Sequence, residues 1–125
     1  MNKISWIKII AISGMLCVAL GAFAAHGLEQ SLSAKALSTM RTAVLYQFLH
    51  TLLLLGIVAL PDKLLNQKLQ NRAAQLLLAG IVLFSGSLYL LVFTGFSALG
   101  MITPIGGLAL IAGWLLLFSA AKRPQ

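Results

Sequence analysis

Four long apolar stretches divide the chain, and short polar segments separate them. They run approximately over residues 4–25, 42–60, 73–96 and 104–121. A helix needs roughly 20 apolar residues to cross the hydrocarbon of a bilayer, so each stretch qualifies or nearly does. The fourth is the shortest and predicts a span with little tilt. Polar punctuation sets the ends. Pro61 pushes Leu60 out of helical backbone. Thr103-Pro104 reads as a helix start, with threonine capping free N–H groups and proline in the first turn. "SLSAKALSTMR" has helical spacing and a serine start, so the second helix can begin near Ser33, ahead of the membrane. "PDKLLNQKLQNR" reads as an interfacial turn, with one short amphipathic helix as the variant. The expected fold is all-α: an integral membrane four-helix bundle, one transmembrane domain over residues 1–125.

Composition agrees. The chain is 60% hydrophobic and 9% charged, against about 25% charged in soluble domains. So few charges cannot clothe a water-facing surface. The formal charge of +7 does not indicate nucleic acid, because the basic residues form short clusters between apolar runs and no basic face interleaved with aromatics. Such clusters set membrane topology and touch anionic headgroups. Lys3, Lys8, Lys63, Lys68, Arg72, Lys122 and Arg123 fall on one side of four spans, against Lys35 and Arg41 on the other. The positive-inside rule then places both termini of this multi-pass chain in the cytoplasm. The start of the chain, with Ala22-Phe23-Ala24, also resembles a cleavable signal peptide. The apolar stretch from Ile9 through Ala25 exceeds a signal-peptide core, so the expectation is a retained first span.

Between helices in lipid, close backbone approach through small residues replaces the hydrophobic drive. Gly14, Gly21 and Ala25 share a face of the first helix, Ala79 and Gly86 a face of the third, and Gly106, Ala109 and Gly113 a face of the fourth. These are expected packing seams, within the chain or in a homo-oligomer or with another membrane protein. Leucine at Gly21 or Gly113 should disturb packing more than Leu53→Ala does.

Polar side chains inside the apolar runs are the candidate chemistry. Tyr46 and His50 are four apart and stack on one helix face. His50 lies about 13 Å below Arg41, and Ser85 and Tyr89 lie about 16 Å and 10 Å in from Phe96, at about 1.5 Å per residue. An unsatisfied polar group in hydrocarbon costs several kcal/mol, so the two pairs are expected to face each other, with Gln47 and Ser87 nearby. Two roles fit: interhelical hydrogen bonds, or a pocket or proton relay centred on His50. His26, followed by Gly27, reads as a helix C-terminus where histidine can bond the last carbonyls.

No cofactor or metal site is expected. His26 and His50 differ in depth by about 10 Å or more, Cys17 is alone, and no paired carboxylate completes a ligand set. No carboxylate accompanies a buried histidine, so no catalytic triad assembles, and no phosphate loop is present. A proton-coupled transporter would lack a central carboxylate, because Glu29 and Asp62 lie just past helix ends.

"LGAFAAHGL", "TAVLYQFLH", "LFSGSLYLL" and "TPIGGLALIAGW" together resemble, in order and over almost the whole chain, an uncharacterised four-helix family of small bacterial inner-membrane proteins related to eukaryotic transmembrane protein 256. Ala24 stands where that family often has glycine. The resemblance implies four spans, an inner-membrane location and a polar signature at His26, Tyr46, Gln47, His50, Ser85 and Tyr89. It lends no mechanism. The reading is a non-enzymatic structural, assembly or lipid-associated component with membrane lipids as its surroundings. The alternative is a small transporter or small-molecule binder using the polar pocket.

Overall fold

The computed structural model describes residues 1–122. Arg123, which enters the topology argument, lies outside the described residues. The described residues form four α-helices: α1 (Lys3–Ala22), α2 (Ala34–Ala59), α3 (Gln67–Thr94) and α4 (Thr103–Ala120). All four are long and apolar enough to cross a membrane.

Local chemistry explains the helix ends. Asn2 Oδ1 accepts from the Ser5 amide at 3.1 Å and starts α1. Ser33 Oγ accepts from the Ala36 amide at 3.1 Å, so α2 begins ahead of its apolar stretch. Helix α1 continues into a wider π-type turn, Phe23–Gly27, closed by Leu28 N–H donating to the Phe23 carbonyl at 3.0 Å. A Cβ at Gly27 would sit 2.7 Å from the Phe23 ring, so a larger residue there would make that ring move. Gly95 ends α3 in left-handed backbone, φ 70°.

Two expected boundaries move. The segment after Pro61 is not an isolated interfacial turn: only Asp62–Leu64 form a short 3₁₀ turn, and α3 starts at Gln67. The reason is an asparagine cap, Asn66 Oδ1 accepting from the Leu69 amide at 3.1 Å. The extra turns bring Gln70 inside, where its amide donates to the Ile57 carbonyl at 2.9 Å and satisfies an orphan acceptor at the end of α2. Thr103 does not cap α4; it is the first helical residue and its hydroxyl bonds Ser87 at 2.6 Å.

The helices pack unequally. Helices α3 and α4 lie closest. A Cβ at Gly106 would overlap the Phe84 backbone, one at Gly113 would sit 2.6 Å from Leu77 Cδ2, and one at Gly80 2.6 Å from Leu110 Cδ2. The seam on α3 therefore runs through Gly80. Ala79 is exposed, and a Cβ at Gly86 would meet nothing within 4 Å. One residue decides this: 100° of helix turn separates Ala79 from Gly80. Ala109 is half-buried beside the α4 seam. On α1, a Cβ at Gly14 would meet nothing within 4 Å, one at Gly21 would approach Val44 at 3.4 Å, and Ala25 is exposed.

An apolar core joins Trp6 and Ile10 of α1, Leu54, Ile57 and Val58 of α2, Ala74, Leu77 and Ile81 of α3, and Leu110 of α4. It sits toward the end holding the N-terminus and the α2–α3 turn. Lys3 Nζ reaches Asp62 at 3.6 Å there. Backbone bonds tie the same turn to the end of α4, from Asn66 N–H to the Ala120 carbonyl at 2.7 Å and from Lys122 N–H to the Leu64 carbonyl at 2.9 Å. The N-terminus, that turn and the end of α4 thus share one end. The polar residues of interest lie beyond the core, toward the opposite end.

Candidate functional site

Gln47 is the centre of the polar interior. It is buried on α2 and meets groups from α1 and α3. Its Oε1 accepts from the Tyr89 hydroxyl at 2.6 Å. Its Nε2 donates to the Ser13 carbonyl at 3.3 Å and approaches Ser13 Oγ at 3.2 Å. Ser13 Oγ lies 2.7 Å from Thr51 Oγ1, and the Thr51 hydroxyl donates to the Gln47 carbonyl at 2.6 Å.

The direction of each proton follows. Thr51 has one O–H, spent on the Gln47 carbonyl, so Ser13 must donate to Thr51 Oγ1. Ser13 Oγ then accepts from the Gln47 amide. The result is a closed ring, Gln47 to Ser13 to Thr51 and back to Gln47, with Tyr89 donating into it. Helical geometry explains why Tyr89 reaches Gln47. Long side chains lean toward the N-terminus of their own helix, and α2 and α3 run antiparallel. The two side chains lean toward each other and meet. Ser85 makes a second tie between the same helices, its hydroxyl donating to the Ala43 carbonyl at 2.7 Å.

His50 belongs to a different arrangement. It is 7% exposed, and its partner is on α4: Trp114 Nε1–H donates to His50 Nε2 at 3.1 Å. Indole is only a donor, so Nε2 must accept and the ring proton sits on Nδ1, which donates to the Tyr46 carbonyl at 2.8 Å. One neutral tautomer satisfies both ring nitrogens. The Trp114 and His50 rings lie edge to face at 6.0 Å.

The expected facing of Tyr46 and His50 against Ser85 and Tyr89 is therefore divided. Gln47 meets Tyr89 and Ser85 ties to the backbone of α2, while His50 turns to Trp114. Tyr46 is 40% exposed; its ring stacks on His50 at 6.0 Å and against Phe84 at 4.6 Å, and its hydroxyl bonds none of the described residues. His26 is exposed in the π-type turn and its ring bonds none of them either. Ser87 donates to the Phe84 carbonyl at 2.9 Å and accepts from Thr103, joining α3 to α4 away from the ring.

Ser13, Thr51 and Trp114 complete these arrangements without having stood out in the sequence. A serine or threonine in a membrane helix commonly bonds its own preceding carbonyl, so neither is distinctive alone. Depth does not single out Ser13 either: it lies 12 residues before Ala25, about 18 Å, against about 9 Å for Gln47 below Arg41.

Chemically the ring is self-contained. Its members are an amide, two hydroxyls and a phenol, and the one interior imidazole points elsewhere. Among the described residues, every buried side-chain nitrogen and oxygen has a partner. No three of His, Cys, Asp and Glu among them gather as a metal site would require. A lateral cleft of about 330 Å³ opens between α1 and α3 and reaches Ser13, Gln47, Ser85 and Tyr89, with Ile12, Ile81 and Val82 among its apolar walls.

Comparison with known proteins adds identity. The family described as "Protein of unknown function (DUF423)" matches residues 20–107. The chain is 48% identical over 113 residues to the UPF0382 membrane protein YwdK of Bacillus subtilis (strain 168), covering 90% of this chain and 92% of that protein. It is 44% identical over 113 residues to a UPF0382 membrane protein of Haemophilus influenzae, covering 90% of each. It is 39% identical over 113 residues to the UPF0382 inner membrane protein YgdD of Escherichia coli (strain K12), covering 90% of this chain and 86% of that one. No solved structure matches. Four membrane-length apolar helices, with relatives named membrane proteins along nine-tenths of the chain, identify a multi-pass protein of the bacterial inner membrane that belongs to the uncharacterised DUF423 (UPF0382) family.

Proposed function

We propose that the protein is a non-enzymatic structural component of the inner membrane, a lipid-embedded scaffold whose interior polar residues serve to lock its helices. The observation that carries this reading is the closed hydrogen-bond ring. Every donor in it is spent on another member or on backbone, so the ring has no free donor for a ligand. His50 is occupied at both nitrogens in the same way. Interhelical bonds of this kind stabilise by about 0.6 kcal/mol each on average.

The excess of basic residues at the end holding the N-terminus supports an orientation with that end in the cytoplasm. Reporter fusions at the C-terminus check it: cytoplasmic signal is expected, and an external signal would reverse the topology.

One observation favours a second reading, a small-molecule binder. The cleft between α1 and α3 reaches the outer edge of the ring. Melting and mass spectrometry of Gln47→Leu and His50→Ala in mild detergent separate the two. The scaffold predicts lower thermal stability and no small molecule lost. A stoichiometric small molecule that disappears with either substitution, at unchanged melting temperature, would favour the binder and remove the scaffold.

A further inference from the structure

A second groove, unrelated to the ring, runs between α1 and α2 toward the end that carries the α1–α2 connection. It encloses about 370 Å³, and Cys17, Gly21, Ala25, Val44 and Phe48 line it, with Arg41 at its rim. Gly21 and the π-type turn create it: no side chain at Gly21 fills the space, and the widened turn buries Ala24 while leaving Ala25 on the groove wall.

Two further facts identify an occupant. Arg41 is the basic residue at the boundary of the apolar stretch of α2, and its guanidinium forms no ion pair or hydrogen bond with the described residues. The groove below it extends from Ala25 to Cys17, about 12 Å along α1, within the depth of about 15 Å that one leaflet provides. A molecule that fits has an anionic group at the membrane surface and one apolar chain descending through a single leaflet. Resting on the reading of the protein as a lipid-embedded scaffold, we propose that this groove is a binding site for an anionic phospholipid, its phosphate on the Arg41 guanidinium and one acyl chain between α1 and α2.

Arginine suits that role because its planar fork matches phosphate oxygens. Lys35 sits near the same end of α2 but borders a different groove, against Val92 and Gly95 of the α3 terminus. It separates a specific site from general surface charge.

Native mass spectrometry of the full chain in detergent, with phosphatidylglycerol and phosphatidylcholine of identical acyl chains, tests the proposal. Phosphatidylglycerol should be retained about fivefold over phosphatidylcholine, the factor for one favourable basic contact near the surface. Arg41→Gln should bring that ratio close to one, and Lys35→Gln should leave it unchanged. Ala25→Phe and Leu45→Trp, both at exposed positions, should fill the groove and lower retention of both lipids. The site is overturned by a preference that survives Arg41→Gln, by equal losses with Lys35→Gln, or by retention unaffected by both groove-filling variants. Displacement of the lipid by millimolar glycerol phosphate would likewise overturn it, since a headgroup alone would then suffice. The scaffold reading is judged separately, by the melting of Gln47→Leu without added lipid, so the two can fail independently.

Discussion

Helices α3 and α4 are held as α1 and α2 are not. Along the α3–α4 seam, Gly80, Gly106 and Gly113 remove side chains so that backbone and leucine branches from the facing helix occupy their space. Around α1, the glycines at 14 and 21 leave room unfilled, and the helix is tied instead by Ser13 to Gln47 and Thr51. Lipid supplies no hydrophobic drive for helix pairing, so a membrane bundle must use contact area or hydrogen bonds. Glycine-mediated contact dominates one half, with Ser87 and Thr103 adding a hydrogen bond across it, and hydrogen bonds supplement the Trp6 and Ile10 packing in the other. The grooves follow from that division, since both the cleft beside α3 and the trough beside α2 border α1.

The largest expected effect comes from breaking the tighter half. Gly106→Leu places its Cβ in the Phe84 backbone, which cannot step aside. Overpacking typically costs about 1–3 kcal/mol where side chains can move, so this substitution should exceed that range and abolish folded protein in detergent, as read by size-exclusion chromatography. Gly113→Leu meets the movable end of Leu77 and should fall within the range. Gly14→Leu should be nearly silent. Equal losses at Gly14 and Gly106 would break the contrast between the halves.

This ordering also shows what the sequence could convey. The four spans, the Ser33 start and the α4 face bearing Gly106 and Gly113 are all readable from hydropathy, caps and helical period. Which small residues are filled is not, because that depends on the rotation of each helix about its own axis. One residue of rotation decides between Ala79 and Gly80. The same holds for the polar residues. Depth arithmetic brackets Gln47, His50, Ser85 and Tyr89 at similar levels, and the structure ties Gln47 to Tyr89 and Ser85 to the Ala43 carbonyl. Depth carries no azimuth, so it could not assign Gln47 to Tyr89 and His50 to Trp114. Azimuth is equally absent for Ser13 and Trp114, so the sequence assigns neither a partner.

Next in size is the ring. Gln47→Leu strands Tyr89 and Ser13 together, severing the bonds made by both Nε2 and Oε1. At about 0.6 kcal/mol per bond, rising to about 1.7 at most, the loss should be about 2 kcal/mol. A double-mutant cycle sharpens the point. Tyr89→Phe should cost about 0.6 kcal/mol in the native background and close to nothing beside Leu at position 47. Additive losses would mean that the phenol is held by something other than the glutamine amide.

The smaller tie is the one across α2 and α4. Trp114→Phe keeps an aromatic ring but deletes the donor to His50 Nε2, and the expected loss is about 0.6 kcal/mol in thermal unfolding. Because the two ties share no hydrogen-bonding partner, this loss should add to that of Gln47→Leu.

Smallest of all should be Tyr46→Phe, and its smallness is informative. Tyr46 and Tyr89 are the two tyrosines of the chain, and both belong to the family-like polar signature. Of the two, Tyr89 is the one whose hydroxyl bonds another of the described residues. Tyr46 keeps its ring contacts with His50 and Phe84 when the oxygen is removed, so its melting temperature should match the native protein within error, while Tyr89→Phe falls measurably. Tyr46 lies five residues below Arg41, about 7.5 Å at helical rise, a depth at which a phenol can reach the headgroup region. A melting loss from Tyr46→Phe as large as that from Tyr89→Phe would mean that its hydroxyl also has a partner in the membrane. The aromatic face between α2 and α4, rather than the ring, would then be the place to look for a ligand.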